Sequence, residues 1–317
     1  MNGQAGRLLI RADGGPVVGH GHVMRCVALA QAWQARGGVP IFVSSLDESL
    51  RRSLAAAGFE TVPIQHAHPE PDDLDVVLQL LETGGFDAVV LDGYHLDPGY
   101  QGRVRARTKR LLVVDDTAHL EHYDADAILN QNLGAEELEY DSDAELLLGP
   151  RYALLRAEFA RKDRVHPDRA ERVLVTVGGG AHDSALRKVV DALETLELEV
   201  RVAAGVAPAE IPRMMADADI AVTAAGSTCW ELAYMGVPFA ALILAPNQGR
   251  NATGLAAAGA AVLLGRIEEL SAASIRAEVG TLADDAERRR AMSAACTELV
   301  DGGGAARVAA YLAGERS

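Results

Sequence analysis

Short apolar runs alternate with longer amphipathic stretches along most of the chain. The runs 88–91 and 111–114 contain only apolar residues, and an aspartate follows each of them. A strand that is buried on both faces of a parallel sheet shows this continuous pattern. Stretches with helical periodicity, such as 23–35 and 50–57, lie between the runs. The alternation predicts an α/β protein with parallel sheets and crossover helices.

The same alternation occurs on both sides of a charged, proline-containing segment, 161–169. The chain has 317 residues, enough for two domains of roughly 100–200 residues each. We predict two doubly wound, Rossmann-like domains, 1–160 and 161–317, with a hinge near residue 165. The last helix is a candidate to pack back on the first domain. Ligands of open α/β sheets bind at the carboxyl ends of strands, so we expect the active site in the cleft between the domains.

Composition limits the class of protein. Hydrophobic residues make up 49% and charged residues 24%, which is typical of a folded chain. A formal net charge of −15 opposes general binding to nucleic-acid phosphates. There is no apolar stretch of about 18 residues and no leader-like N-terminus, so we expect a cytoplasmic protein with no membrane span. Cys26, Cys229 and Cys296 lack a CxxC spacing, which favours a reducing compartment.

The first candidate site is the Gly-rich loop between the first strand and the first helix. It places His20 and His22 beside glycines. Met24 stands where a dinucleotide-binding loop needs a third small residue, and no P-loop motif is present. A helix N-terminus disfavours imidazolium, so a histidine there tends to stay neutral and able to accept a proton. One of the two is a candidate general base; alternatively, both only stabilise the turn.

The second candidate site follows the strand-like run 220–223. Backbone N–H groups and hydroxyls at 226–228 open a helix and suit a phosphate or diphosphate. Alternatively, Thr228 and Glu231 form only a capping box. Asn247 and Gln248 follow the next strand and are expected at the same sheet edge, as in a nucleotide pocket.

We predict no metal site. Asp115 and Asp116 are adjacent, but no third carboxylate or histidine stands at ligand spacing. His119 and His122 would share a helix face, yet they have no evident further partner. The expected reaction therefore uses neither a metal nor another cofactor.

Motifs in a fixed order resemble one known family over nearly the whole chain. They are Arg-x-Asp…Gly-x-Gly-His-x-x-Arg (11–25), Leu-Asp-x-Tyr (91–94), Val-Asp-Asp (114–116), Asn-Gln-Asn (130–132), Gly-x-x-Tyr-x-x-Leu-Arg-x-Glu-Phe (149–159), Val-Gly-Gly (177–179), Gly-Ser-Thr-x-x-Glu (226–231) and Asn-Gln (247–248). Together they resemble the hydrolases of pseudaminic acid biosynthesis, which act on UDP-2,4-diacetamido-2,4,6-trideoxy-β-L-altropyranose. The related spore-coat polysaccharide proteins share this pattern. The resemblance implies the GT-B architecture of many nucleotide-sugar glycosyltransferases.

The resemblance also implies a reaction. Water attacks the anomeric carbon, UDP leaves from the other face, and the configuration inverts. His22 would be the catalytic base, and the second domain would bind the nucleotide. The implied substrate-binding residues are Asp13, Gly21, Tyr94, Asp116, Gly179, Ser184, Gly226, Ser227, Thr228, Glu231, Asn247 and Gln248.

Two other functions fit the same motifs. A GT-B glycosyltransferase would bind the same donor and use an alcohol in place of water. A non-enzymatic nucleotide-sugar sensor would bind without turnover and would need no base in the first loop.

Overall fold

The structure is a computed structural model that describes residues 5–16, 18–161, 163–177 and 183–315. The chain divides into two compact units. Unit 1 is formed by Met1–Ala157 together with Gly303–Ser317, and unit 2 by Glu158–Gly302. Each unit contains a parallel sheet with helices, so the predicted α/β class is confirmed.

Unit 1 contains a sheet of seven parallel strands. Along the chain these are β1 (Arg7–Ala12), β2 (Val39–Ser44), β3 (Glu60–Pro63), β4 (Phe86–Asp92), β5 (Leu111–Val114), β6 (Ala127–Asn130) and β7 (Glu145–Leu148). Their order in the sheet is β3-β2-β1-β4-β5-β6-β7. β1 and β4 are central neighbours, and Ala12 is in register with Asp92 at their ends.

The first four helices are α1 (Gly21–Gln34), α2 (Glu48–Ala56), α3 (Pro71–Gly84) and α4 (Pro98–Arg105). Successive residues of β1 point to opposite faces of the sheet. Leu8 and Ile10 pack in one core with Trp33 of α1, whereas Leu9 packs in the other with Val77 of α3. Both faces of β1 are therefore covered, which explains its continuous apolar sequence.

Unit 2 contains a sheet of five parallel strands, β8 (Arg172–Thr176), β9 (Glu199–Val202), β10 (Ile220–Ala224), β11 (Phe239–Ile243) and β12 (Val262–Arg266). Their order is β12-β11-β10-β8-β9. The helices are α5 (Asp183–Leu193), α6 (Ile211–Asp217), α7 (Thr228–Tyr234), α8 (Gly249–Ala257), α9 (Ala272–Asp284) and α10 (Ala286–Leu299). β10 and β11 are neighbours, so their carboxyl ends share one edge of the sheet.

The charged segment around residue 165 is attached to unit 2 by arginines. Arg161 Nε donates to the carbonyl oxygen of Tyr234 at the end of α7 (2.9 Å), and its Nη2 donates to the carbonyl of Val300. Arg164 donates to the carbonyl of Ala218, just after α6. Carbonyls at helix C-termini carry partial negative charge, so a guanidinium is favourable there. These contacts hold the segment against unit 2.

The last helix, α11 (Gly304–Leu312), belongs to unit 1. Val308 and Leu312 are buried in the same core as Leu8. A Cβ on Gly304 would lie 2.3 Å from the carbonyl oxygen of Ala153, so glycine permits the close approach of this helix. In the part of the chain that the structure describes, no helix has the length and apolar character needed to cross a bilayer.

Candidate functional site

Polar side chains collect at the carboxyl ends of four neighbouring strands in unit 1. Asp13 follows β1, Asp92 ends β4, Asp116 lies just after β5, and Asn132 lies just after β6. Parallel strands end on the same edge of a sheet, so the topology brings together residues that are far apart in sequence. His22 stands in the first turn of α1, directly after the loop that leaves β1.

Arg25 is buried and joins two of these carboxylates. Its Nε donates to Asp92 Oδ2 (2.6 Å) and its Nη2 to Asp92 Oδ1 (2.7 Å). Its Nη1 donates to both oxygens of Asp116 (2.9 Å each). Burial alone would raise the pKa of Asp92, but the charge of Arg25 and the hydrogen bonds from Arg25 and His22 outweigh burial and hold that pKa well below its usual range. Asp92 is therefore an ionised carboxylate in the folded protein.

Asp92 determines which nitrogen of His22 carries the proton. His22 Nδ1 lies 2.6 Å from Asp92 Oδ1. An ionised carboxylate only accepts hydrogen bonds, so Nδ1 must be the donor. Arg25 Nη2, 3.2 Å from the same nitrogen, then finds no lone pair there. Nε2 of the neutral ring keeps its lone pair, which is the state that a general base requires.

Tyr94 and Asp116 lie in the same cluster as His22. The Tyr94 hydroxyl donates to Asp116 Oδ2 (3.0 Å), and Asn132 Nδ2 donates to Asp116 Oδ1 (2.9 Å). The Tyr94 ring stands edge-to-face against His22, with ring centroids 5.4 Å apart, and against His119 at 5.3 Å. Tyr94 is held between two imidazoles and remains 37% exposed, so a ligand can reach it.

His20 has a different environment. Its Nε2 lies 2.8 Å from Asp47 Oδ2. Asp47 is the N-cap of α2, where its other oxygen accepts from the Leu50 backbone N–H (2.8 Å). His20 therefore stabilises the N-cap of α2. The two histidines of the loop differ in their carboxylate partners, which are Asp47 for His20 and Asp92 for His22.

Asp13 lies in a second buried ion-pair network. Arg11 donates to both oxygens of Asp13 and to both oxygens of Asp73 in α3. The Ser45 backbone N–H donates to Asp13 Oδ1 (2.7 Å), and His95 Nε2 lies 3.3 Å from Asp13 Oδ2. Each oxygen of Asp13 thus has two partners from the protein.

In unit 2, α7 begins at Thr228, and its N-cap is Ser227, whose side chain makes no capping hydrogen bond. Thr228 is therefore the first residue of the helix and not its N-cap, which is the position that a capping box with Glu231 requires. Cys229 N donates to the carbonyl of Gly226 (3.0 Å), which closes a tight turn after β10. The hydroxyl of Ser227 is not used as a cap.

The next strand end brings a second polar segment beside this turn. A Cβ built on Gly226 would lie 3.9 Å from Gln248 Nε2, while Gln248 Oε1 accepts from the Leu244 backbone N–H (2.8 Å). Asn251 is buried and donates to the carbonyl of Ala225 (3.1 Å). Loops after β10 and β11 therefore lie together, as the sequence predicts.

The other predicted residues have simpler positions. Gly21 is the first residue of α1, Ser184 is exposed in the first turn of α5, and Asn247 is exposed in the turn after β11. Gly179 lies outside the described residues. Among the residues that are described, no group of three or more His, Cys, Asp or Glu side chains could hold a metal ion.

Sequence reasoning did not assign Asp92, Asn132 or His95 to the site. Asp92 and Asn132 lie at the ends of buried apolar runs and also fall within the motifs 91–94 and 130–132, which were the two indications in the sequence. His95 was not singled out because it becomes informative only through its contact with Asp13.

Residues 161–303 match the glycosyltransferase family 28 C-terminal domain. Among curated proteins, a Helicobacter pylori protein named pseudaminic acid cytidylyltransferase and UDP-2,4-diacetamido-2,4,6-trideoxy-β-L-altropyranose hydrolase is 26% identical over 52% of this chain and 35% of its own length. The Campylobacter jejuni hydrolase of the latter name is 22% identical over 55% of this chain and 60% of its own length. The chain therefore spans less than two thirds of either relative.

Two solved structures share the fold of this protein over nearly the full length of both proteins compared. Acinetobacter baumannii MurG has a TM-score of 0.64 at 16% identity, covering 97% of this chain and 99% of MurG. SsfS6, a Streptomyces sp. SF2575 glycosyltransferase complexed with thymidine diphosphate, has a TM-score of 0.62 at 17% identity, covering 96% and 99%. These glycosyltransferases show that the chain has the GT-B fold, which confirms the predicted architecture.

Replacing Asp92 by asparagine should destabilise the protein by about 3 kcal/mol or more near neutral pH, because Arg25 loses a buried partner. The pKa of Asp92 is lowered in the folded state. The contribution of Asp92 to the free energy of unfolding is therefore present above the ordinary carboxylate pKa of about 4 and is lost as the pH falls below that value. The difference in the free energy of unfolding between wild type and variant should narrow below about pH 4. Urea unfolding from about pH 7 to pH 3 measures this gap.

The control is Asp87→Asn, which breaks a largely exposed pair with Lys109 and should cost less than about 1 kcal/mol. Equal effects of the two substitutions near neutral pH would contradict the role given to the buried pair.

Proposed function

We propose that this protein is a nucleotide-sugar hydrolase. It would release UDP from a UDP-linked 2,4-diacetamido-trideoxyhexose by attack of water at the anomeric carbon, with inversion. The observation that carries the proposal is the contact of His22 Nδ1 with Asp92 Oδ1, at 2.6 Å. It leaves Nε2 able to take a proton. The two relatives whose names include a hydrolase of such a sugar support the substrate class.

In this proposal His22 removes the proton from the attacking water. Asp92 stabilises the imidazolium that forms, and Arg25 keeps Asp92 ionised throughout. His22 is 13% exposed in its side chain, so the ring is oriented by the protein but can still meet a water molecule. General-base assistance of this kind is worth roughly 10²–10⁴-fold in rate.

The charge of the cluster favours the same reaction. Arg25 supplies one positive charge, whereas Asp92 and Asp116 supply two negative charges. With His22 neutral, the cluster has an excess negative charge. Positive charge develops on the sugar ring when a glycosidic bond breaks, and an excess negative charge nearby stabilises it.

Unit 2 would bind the UDP. Backbone N–H groups and hydroxyls of 226–228 would hold the diphosphate, whose negative charge grows as it leaves. Glu231 would accept hydrogen bonds from the ribose, while Asn247 and Gln248 would contact phosphate or sugar. The match of 161–303 to a glycosyltransferase domain and the thymidine diphosphate complexed with SsfS6 support a nucleotide as part of the ligand.

The second candidate is a glycosyltransferase that uses an alcohol acceptor. The match to the family 28 C-terminal domain favours it. His22 would then deprotonate an alcohol instead of water, with the same contacts to Asp92.

The test of the hydrolase proposal uses wild-type protein, ¹⁸O-labelled water and a panel of UDP-linked deoxyaminosugars without an acceptor. We expect UDP to appear and the label to enter the anomeric hydroxyl, because the bond to the sugar carbon is the one that breaks. Mass spectrometry of both products locates the label. Label in the UDP, or release only after an alcohol is added, would contradict hydrolysis at the anomeric carbon.

His22→Asn should lower kcat by about 10²–10⁴-fold, because the base is removed. The affinity for UDP should remain, since the proposed UDP contacts lie in unit 2. The matched control is His20→Asn in the same loop, which disturbs only the contact with Asp47 and should cost much less. Steady-state kinetics and UDP calorimetry measure both. Equal losses of kcat would assign the activity to the loop as a whole.

Glu231→Gln should weaken UDP binding about tenfold or more, through loss of a charged acceptor for the ribose. Thermal stability should change little because glutamine keeps the size of glutamate and one acceptor oxygen. Calorimetry with UDP, together with a melting curve, separates the two effects. Unchanged affinity would remove Glu231 from the nucleotide site.

A further inference from the structure

Protein groups occupy the acceptor positions of the Asp13 carboxylate and hinder direct binding of a sugar. Its Oδ1 accepts from Arg11 Nη1 and the Ser45 backbone N–H, and its Oδ2 lies within reach of Arg11 Nη2 (2.8 Å) and His95 Nε2 (3.3 Å). A carboxylate has about four acceptor positions, and here protein groups take four. A sugar hydroxyl could bind Asp13 only by displacing one of them.

His95 is the member of this network that reaches solvent. Its side chain is 30% exposed, whereas those of Arg11 and Asp13 are 0% and 7% exposed. Burial would raise the pKa of Asp13, but the His95 contact and the charge of Arg11 hold it well below its usual range. His95 Nε2 lies 3.3 Å from Asp13 Oδ2 and 3.4 Å from Arg11 Nη2. Arg11 Nη2 donates its two hydrogens to Asp13 Oδ2 and Asp73 Oδ2, so it has none left for His95. We therefore assign the proton of the neutral His95 ring to Nε2, facing Asp13, which leaves Nδ1 as the acceptor.

The loop after β4 places His95 beside the proposed catalytic cluster. Ala12 and Asp92 are register partners at the ends of β1 and β4, and Asp13 follows Ala12 directly. Tyr94 and His95 are consecutive in this loop. Tyr94 contacts His22 and Asp116, whereas His95 contacts Asp13. The two clusters therefore share one strand-end edge.

Gly93 leaves room for the imidazole of His95. A Cβ on residue 93 would lie 2.7 Å from His95 Cε1 and 3.0 Å from His95 Nδ1. Both distances are shorter than ordinary carbon contacts, so an alanine here would push the ring out of its position. Gly93→Ala is thus a second way to move His95 while keeping the imidazole.

We propose that His95 is a sugar-contacting residue, and that Asp13 and Arg11 position it. Its Nδ1 would accept a hydrogen bond from a hydroxyl or an acetamido N–H of the hexose. This inference rests on the proposed function and deepens it, because it moves the sugar contact from Asp13 to His95. A site whose acceptor binds a hydrogen-bond donor of the substrate discriminates strongly against sugars that lack this donor.

The test measures binding in the His22→Asn background, where turnover is slowed about 10²–10⁴-fold. Calorimetry compares H22N with H22N/H95Q, using UDP and UDP-2,4-diacetamido-2,4,6-trideoxy-β-L-altropyranose as separate probes. Glutamine keeps an N–H that can donate to Asp13 but lacks the imidazole acceptor. We expect the Kd of the UDP-sugar to rise about tenfold and the Kd of UDP to stay unchanged. H22N/G93A should raise the Kd of the UDP-sugar by a smaller factor and leave the Kd of UDP unchanged.

Equal UDP-sugar affinity of H22N and H22N/H95Q would overturn the inference, as would an equal loss for UDP. The proposed function fails separately. If the wild type releases no UDP while H95Q still weakens UDP-sugar binding, hydrolysis is wrong and the His95 contact stands. If the wild type hydrolyses the sugar and H95Q binds it normally, the hydrolase stands and the His95 contact is wrong.

Discussion

The bidentate ion pair between Arg25 and Asp92 is the interaction on which the site in unit 1 depends. Both groups are buried, and either one alone would be costly to remove from water. Arg25 keeps Asp92 ionised, and the ionised Asp92 makes His22 a donor at Nδ1. The contact between Arg25 and Asp92 therefore determines which nitrogen of His22 can accept a proton.

The same arrangement recurs on the neighbouring strand. Arg11 holds Asp13, and Asp13 accepts from His95, just as Arg25 holds Asp92, and Asp92 accepts from His22. In both networks the arginine and the carboxylate are buried, while the histidine is more exposed. The carboxylates orient the histidines and have little capacity left for other ligands. In the proposed function, the group of each network that meets the substrate is therefore the imidazole.

Much of the fold follows from continuous apolar runs, because strands covered on both faces contain few polar residues. The edge strand β3 has no such run, since Glu-Thr-Val-Pro at 60–63 is partly exposed and contains a proline. The sequence also predicts polar residues at strand ends. It does not predict which carboxylate meets which histidine: Asp92 is 70 residues from His22, and Asp47 is 27 from His20. Only the packing of α1 and α2 against the sheet distinguishes those partners.

The central claim is that Asp92 fixes the tautomer of His22, and ¹⁵N NMR of the imidazole measures this directly. In wild-type protein labelled at histidine, above the pH where the ring protonates, we expect Nδ1 of His22 to carry the proton and Nε2 to show the shift of an unprotonated nitrogen. In Asp92→Asn, the amide can donate to Nδ1, so this preference should weaken or reverse. A wild-type His22 protonated at Nε2 would contradict the account.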